Sequence, residues 1–329
     1  MKKARIVGTG SYVPEKVLTN ADLEKIVDTN DEWIFSRTGM KERRIAADDE
    51  FTSDMGLNAA KKALAAAGID KSKIDCILVA TLSSDHIFPS TACLIQRGLE
   101  LENIPAVDLM AACTGYLYAL AQAKAFVESG LYQHVLVIAA EKLSAITDYE
   151  DRNTCVLFGD GAAACVVASE GAGYVIDSIT IGSDGCQAEL LHMPAGGVRR
   201  PASEETVKNR EHFIHMNGKE VFKHAVRRME AASEEALLKA GLDKANLSWL
   251  VPHQANIRII EALAKRFCVP MERVFMTIHK YGNTSASSVG IALDELECEK
   301  TPEVGDHLLL AAFGAGLTWG AAVLTKELA

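Results

Sequence analysis

Three residues have the chemistry to work together. Cys113 stands in "DLMAACTGYLYAL", His253 in "WLVPHQANIRI" and Asn283 in "HKYGNTSASSVGIAL". Cys113 follows a short apolar strand and precedes a helix. Free N–H groups and the helix dipole at such a turn stabilise a thiolate, and open α/β sheets place their chemistry at the carboxyl ends of strands. Ala111, Ala112, Thr114 and Gly115 are small and leave room for a substrate. The same position also suits an inert buried thiol. His253 follows a strand stiffened by Pro252, and a helix is expected to start near Asn256. It reads either as a proton handler or as a residue capping or hydrogen-bonding near that helix start; Gln254 and Asn256 are similar candidates for capping. Asn283 sits in a Gly-Asn turn and reads either as an oriented amide or as a cap. Together the three form a set of nucleophile, proton donor or acceptor, and amide. A fourth segment, "FGAGLTWG" from Phe313 to Gly320, is a small-residue loop able to aim backbone N–H groups at an oxyanion.

Two halves must bring these turns together. "AAGIDKSKIDCILVAT" and "KAGLDKANLSWLVPHQ" share a helix end, a Gly, an Asp-Lys pair and a strand, with Gly68 and Gly241 173 residues apart. "ESGLYQHVLVIAAE" and "PEVGDHLLLAAFGA" match likewise, with Gly130 and Gly305 175 apart. Equal offsets in constant order indicate an internal duplication, with halves at 1–172 and 173–329. In each half a helix (52–67; 217–240) precedes a strand (76–80; 249–251). There follow a helix (90–97; 256–267), a strand (107–110; 274–277), a long helix (114–129; 285–296) and a strand (134–139; 307–312). Further strands are expected at 162–168 and 319–324. Alternating short apolar strands and helices imply sheets covered on both faces. "TGYLYALAQAKAFV" is apolar nearly all round, so it belongs inside. Two such helices between two sheets give an α/β fold of five layers, α/β/α/β/α. The segment 190–210, with Pro, two Gly and basic residues, reads as a surface excursion suited to a ligand or partner.

Bulk properties narrow the function. The 329 residues carry a net charge of −10, with 49% hydrophobic and 24% charged residues. That is ordinary for a soluble protein and argues against a broad nucleic-acid footprint. No apolar stretch approaches a membrane span and no signal-peptide core follows the N-terminal lysines, so the expected location is cytoplasmic. Eight cysteines form no CxxC pair, which suggests no zinc or dithiol motif; most are expected to be buried free thiols. "GTGSYVP" lacks the third glycine and the following acidic residue of a dinucleotide loop, and no phosphate-loop motif is present.

The chain resembles the beta-ketoacyl-acyl-carrier-protein synthase III family of thiolase-like condensing enzymes. The likeness rests on nine strings in order: "GTGSYVPEKVLTN", "TNDEWIFSRTGMKERRI", "DLMAACTGYLYAL", "VLFGDGAAA", "LHMPAGG", "MNGKEVFKHAV", "VPHQANIRI", "YGNTSASSV" and "FGAGLTWG". The resemblance implies a decarboxylative condensation of a short acyl-CoA with malonyl-acyl-carrier protein through an S-acyl Cys113. His253 and Asn283 would handle the malonyl group, and the backbone amides of Cys113 and Ala315 would face the acyl oxyanion. Ala315 departs from the three glycines common in that loop, which tests whether its backbone needs a glycine-only conformation. By the same resemblance Trp33 and Arg152 sandwich an adenine, Arg37 lies near the CoA phosphates, Lys223 and Arg258 dock the carrier, and Phe88 limits the acyl pocket across a homodimer interface. Acyl-CoA is a substrate, and no metal or redox cofactor is expected. Neither nucleic acid nor membrane is an expected partner. Alternatives are a related acyl-loading enzyme of secondary metabolism, a hydroxymethylglutaryl-CoA synthase, whose additional acidic catalyst has no evident counterpart, and a non-catalytic carrier-binding scaffold.

Overall fold

A computed structural model describes residues 2–328. Nine strands form one continuous sheet. Its order is Leu247–Pro252, His307–Gly314, Thr318–Glu327, Gly173–Ser183, Arg5–Tyr12, Gly161–Ala168, His134–Glu141, Cys76–Ala80 and Ala106–Leu109. The middle joint is slight: Arg5–Tyr12 and Gly173–Ser183 pair at only Arg5–Val175 and Ile6–Tyr174. On either side the succession is the same, with parallel pairs outside and antiparallel pairs toward the joint. The outermost strand differs. Ala106–Leu109 is a full strand, whereas the strand expected at 274–277 is reduced to a single bridge, Leu250–Val274, because a short helix begins at Ile278.

Alternation along the strands separates three apolar cores. Cys76, Leu78 and Ala80 face one core with Val135, Val137, Leu308 and Leu310. The central helices Gly115–Glu128 and Ser287–Lys300 supply the rest of it, from Tyr116 and Leu120 to Val289 and Leu293. Ile77, Val79, Leu136 and Ile138 point the other way, onto the outer helices Thr52–Ala67 and Thr91–Gly98. Leu309, Ala311 and Val323 meet the outer helices Gly218–Ala240 and Ile257–Phe267. Strands buried on both faces explain the unbroken apolar runs of the sequence, and the layers are the expected α/β/α/β/α.

Glycines mark the tight approaches. The outer helices end at Gly68 (φ +62°) and Gly241 (φ +72°), left-handed caps that a side chain resists. Gly8 and Gly10 lie within a strand, where a Cβ would come 2.4 Å from Ala67 N and from Ala63 N respectively, so they permit strand–helix contact. The cysteines depart from expectation. Cys76, Cys113, Cys155 and Cys165 are buried, but Cys93, Cys186, Cys268 and Cys298 are exposed because they lie on outward helix faces or in turns. No described helix is long and apolar enough to cross a membrane.

Candidate active site

Cys113 is held by a strained turn. The strand ends at Leu109, Ala112 takes a left-handed φ of +45°, and the 3₁₀ turn Ala112–Thr114 leads into the central helix at Gly115. A non-glycine residue in that region costs energy and persists only where its surroundings enforce it. Gly314, at the end of the strand His307–Gly314, lets the turn pack close: a Cβ there would lie 2.7 Å from Cys113 N. Two hydroxyls tie the same parts together. Thr318 Oγ1 lies 2.9 Å from Ala315 O and 3.1 Å from Ala111 O, and Thr114 Oγ1 donates to it across 2.7 Å. The loop Gly314–Gly316 is thereby fixed against the cysteine turn. Ala315 is absent from the described non-glycine residues with positive φ; only Gly316 in this loop needs that freedom (φ +132°). The alanine therefore fits the loop without backbone strain.

His253 sits at the carboxyl end of Leu247–Pro252. Its N–H donates to Ala311 O at 2.8 Å, and Nδ1 lies 2.6 Å from Ser288 Oγ on the second central helix. Burial lowers the imidazole pKa to about 4, so the ring is neutral at pH 7. Asn283 is clamped by backbone bonds, its N–H donating to Leu157 O and its C=O accepting from Gly159 N–H. The Ser285 N–H donates to Asn283 Oδ1 at 2.8 Å, which leaves the amide NH₂ as the free end. Gln254 does not cap the following helix. It is fully buried, and its Oε1 accepts from the N–H groups of Thr277 and Ile278 while its Nε2 donates to Pro252 O. It ties the histidine strand to the segment that leads to Asn283. Asn256 does cap, accepting from Arg258 N–H and donating to Arg37 O.

All three residues line one cavity of about 710 Å³, together with Phe313 and Gly314. Arg37, Lys219, Lys223 and Arg258 also line it, and no Asp or Glu does. Lys223 pairs with Glu220 at 2.7 Å, so Arg37, Lys219 and Arg258 carry most of the local attraction for anions in a chain with net charge −10. Leu191, from the expected surface excursion at 190–210, reaches the cavity wall, as does Met216. Trp33 stands just outside, with the Arg152 guanidinium 4.2 Å and the Arg37 guanidinium 4.8 Å from its ring centroid. Because Arg152 already rests on the indole, a ring inserted between them requires Arg152 to lift away. Phe88 is not part of this cavity; it is 84% exposed, near the exposed Ile87.

The expected resting thiolate is corrected by burial. Desolvation pushes the Cys113 thiol up to about 12, and the nearby Glu141 carboxyl adds to the rise, so the resting sulfur carries its proton. Glu141 itself was not singled out from the sequence. It is fully buried, burial raises it to about 7, and it accepts from Ser83 Oγ at 2.6 Å and from the N–H of Leu82. Ser285 (φ +49°) lies between the two acids. Its hydroxyl makes no hydrogen bond of good geometry, yet it is near enough to lower both pKa values.

The comparisons agree over the whole chain. Residues 107–185 match the family described as 3-oxoacyl-[acyl-carrier-protein (ACP)] synthase III, and residues 237–326 match its C-terminal part. Beta-ketoacyl-[acyl-carrier-protein] synthase III of Chlamydia pneumoniae is 60% identical over 99% of this chain and 97% of its own length. The crystal structure of 3-oxoacyl-[acyl-carrier-protein] synthase III from Aquifex aeolicus VF5 superposes with a TM-score of 0.90 at 48% identity, covering 98% of this chain and all of that one. The priming beta-ketosynthase of the R1128 polyketide pathway superposes with a TM-score of 0.90 at 37% identity, covering 99% and 97%. With its cysteine, histidine and asparagine on one cavity, the chain belongs to the 3-oxoacyl-[acyl-carrier-protein] synthase III family of acyl-transferring condensing enzymes.

Proposed function

We propose that the protein condenses a short acyl-CoA with malonyl-acyl-carrier protein, releasing CoA, carbon dioxide and a beta-ketoacyl-carrier product, and so starts fatty acid synthesis. The observation that carries this is the convergence of Cys113, His253 and Asn283 on one cation-rimmed cavity. In the first step the Cys113 sulfur attacks the thioester carbonyl. The C–S bond to CoA breaks, and the thiol proton ends on the CoA sulfur. The backbone N–H groups of Cys113 and Ala315 receive the oxyanion; losing one such donor costs about 3 kcal/mol of transition-state stabilisation.

In the second step the malonyl C–C bond breaks, carbon dioxide leaves, and the electron pair forms an enolate on the carrier thioester. Its oxygen needs neutral donors. We assign the Ser288 hydroxyl proton to His253 Nδ1, since Ser288 Oγ also lies 3.5 Å from the Gln254 N–H. That tautomer leaves Nε2–H as the donor, beside the free amide of Asn283. The enolate carbon attacks the acyl carbonyl, and the Cys113 sulfur leaves as a thiolate. A thiol with a pKa of about 12 recaptures a proton readily, which matches the one proton the overall reaction consumes. Loss of carbon dioxide drives the sequence, so we assign no metal or redox step.

Trp33, Arg37 and Arg152 suit the nucleotide part of CoA by stacking and charge, and Lys223 with Arg258 suits an acidic carrier. We read the halves as 1–172 and 173–329. The exposed edge strand Ala106–Leu109, with Val107, Met110, Ile87 and Phe88 exposed around it, supports a homodimer in which Phe88 reaches a partner's acyl pocket. Eight unpaired cysteines suit the cytoplasm. A second reading, acyl loading for a polyketide-type pathway, is favoured by the likeness to the priming ketosynthase. Mass spectrometry after exposure to a series of acyl-CoAs tests both: an adduct on Cys113 is expected, and its preferred chain separates them. No adduct with any acyl-CoA would leave only a carrier-binding scaffold.

A further inference from the structure

Arg43 is fully buried on the strand Glu42–Ile45, and no carboxylate pairs with it among the described residues. A guanidinium out of water is costly unless its donors are used well. Burial lowers its pKa to about 10, which still leaves it charged at neutral pH. Nε donates to Val156 O at 3.1 Å, one Nη donates to the same oxygen, and the other donates to Asn20 Oδ1. Asn20 in turn donates to Asp31 Oδ1 at 2.7 Å and to Met40 O at 2.9 Å.

The carbonyl that Arg43 grips adjoins the clamp on Asn283. Asn283 N–H donates to Leu157 O at 2.9 Å, Gly159 N–H donates to Asn283 O at 3.0 Å, and Phe158 bridges Asn283. The arginine stem threads the gap left by two glycines. A Cβ on Gly282 would lie 2.8 Å from Leu157 O and 3.0 Å from Arg43 Cγ; one on Gly159 would lie 2.4 Å from Tyr281 O and 3.3 Å from Arg43 Cβ. The head of Arg43 therefore holds one wall of the Asn283 turn while its stem packs against the other.

We infer that Arg43 is the positioning residue for Asn283: it fixes the 156–159 segment so that the Asn283 amide points at the thioester oxygen of the malonyl carrier. This rests on the reading of Asn283 as a donor in decarboxylation. Arg43 does not line the cavity, and Cys113 is held by other contacts, so the two half-reactions separate its role from a general loss of structure.

The test uses the full chain with Arg43→Met, Arg43→Lys, Asn283→Ala and the Arg43→Met/Asn283→Ala pair. Acylation of Cys113 is followed by intact mass, and carbon dioxide release from labelled malonyl-carrier by scintillation. Arg43→Met is expected to lower the kcat of carbon dioxide release about 100-fold, with its KM and the acylation rate within about twofold. Arg43→Lys, which keeps a donor toward Val156 O, should recover part of the loss. Adding Arg43→Met to Asn283→Ala should cost less than about twofold more, because both remove the same function. Parallel loss of acylation and carbon dioxide release, or multiplying effects in the pair, would overturn the inference. If Asn283→Ala alone leaves carbon dioxide release intact, the reading of Asn283 falls first and the positioning role falls with it. Should Arg43→Met fail to fold, Asn20→Ala removes only the outer partner; it should lower carbon dioxide release about fivefold and spare acylation, and equal loss of both would contradict the proposal.

Discussion

The turns that open the two central helices use one backbone device for two chemistries. Ala112 and Ser285 lie 173 residues apart, the same interval as Gly68 and Gly241, and both are left-handed non-glycine residues (φ +45° and +49°). After the first stands Cys113; after the second stands Ala286, which is fully buried and packs toward Gly115. In the second half the polar side chain on the cavity lies upstream, at Asn283, whose Oδ1 is held by the Ser285 N–H. The comparison teaches that a duplicated scaffold supplies matched, strained turns, and that single substitutions within them divide the labour. On the proposed function, acyl transfer would fall to the first turn and decarboxylation to the second.

The sharpest way to break the first turn without touching its sulfur is Gly314→Ala. The new Cβ meets Cys113 N at 2.7 Å, so the turn must shift. Acylation by acyl-CoA should fall about 100-fold, since displacement of a reacting group by about 1 Å costs that much. Unchanged acylation kinetics would show that the strand end does not set the nucleophile.

One buried group near each of the two turns gives an opposite pH effect on stability: Glu141 beside Cys113, and His253, bonded to Ser288 of the second central helix. Glu141 near Cys113 keeps its proton to about pH 7 when folded but loses it near 4.5 when unfolded. Its contribution is full below pH 4.5 and is lost as pH rises toward 7. His253 stays neutral to about pH 4 when folded but charges near 6.5 when unfolded, so its contribution is full above 6.5 and is lost as pH falls toward 4. In the wild type the two slopes largely cancel between 4.5 and 6.5. The unfolding free energy from urea titration should fall steadily on acidification for Glu141→Gln and should fall as pH rises from 4.5 to 7 for His253→Ala, by about 3 kcal/mol at full extent in each case. Parallel profiles in both variants would refute the assignment.

Thr318→Val removes the hydroxyl that joins the cysteine turn to the oxyanion loop. Its cost should be about 1 kcal/mol in stability and about tenfold in acylation, read by melting and by intact mass. Smallest is Arg258→Glu at the mouth: the KM for the malonyl carrier should rise about fivefold at low salt and less at high salt, with acylation untouched. A salt-independent KM would exclude a charge-steered carrier.

What could be read beforehand, and what could not, follows the range of the forces involved. Cys113 and His253 stand just after strand ends and Asn283 in a turn before the second central helix, and the pattern of strands, helices and small residues carries that information locally. Gly8 and Gly10 likewise fail as a nucleotide loop in the sequence and prove to be packing glycines within a strand. The protonated resting thiol was not legible, because it depends on burial and on Glu141. Arg43 bonds across 113 residues and Thr318 across 204, and no local pattern marks either. Gln254 resembles a cap because it precedes a helix; only the fold turns it inward toward Thr277. The strand expected at Val274 shrank to a bridge because Gln254 binds the N–H groups that open the next short helix.

The division of labour is tested most directly by crossing two variants with the two half-reactions. Cys113→Ala and Asn283→Ala are each given acyl-CoA and, separately, labelled malonyl-carrier. Cys113→Ala should form no adduct yet still release carbon dioxide from the malonyl carrier, and Asn283→Ala should form the adduct at the wild-type rate yet release carbon dioxide at least about 100-fold more slowly. Loss of both half-reactions in either variant, or an adduct that persists without Cys113, would contradict the account.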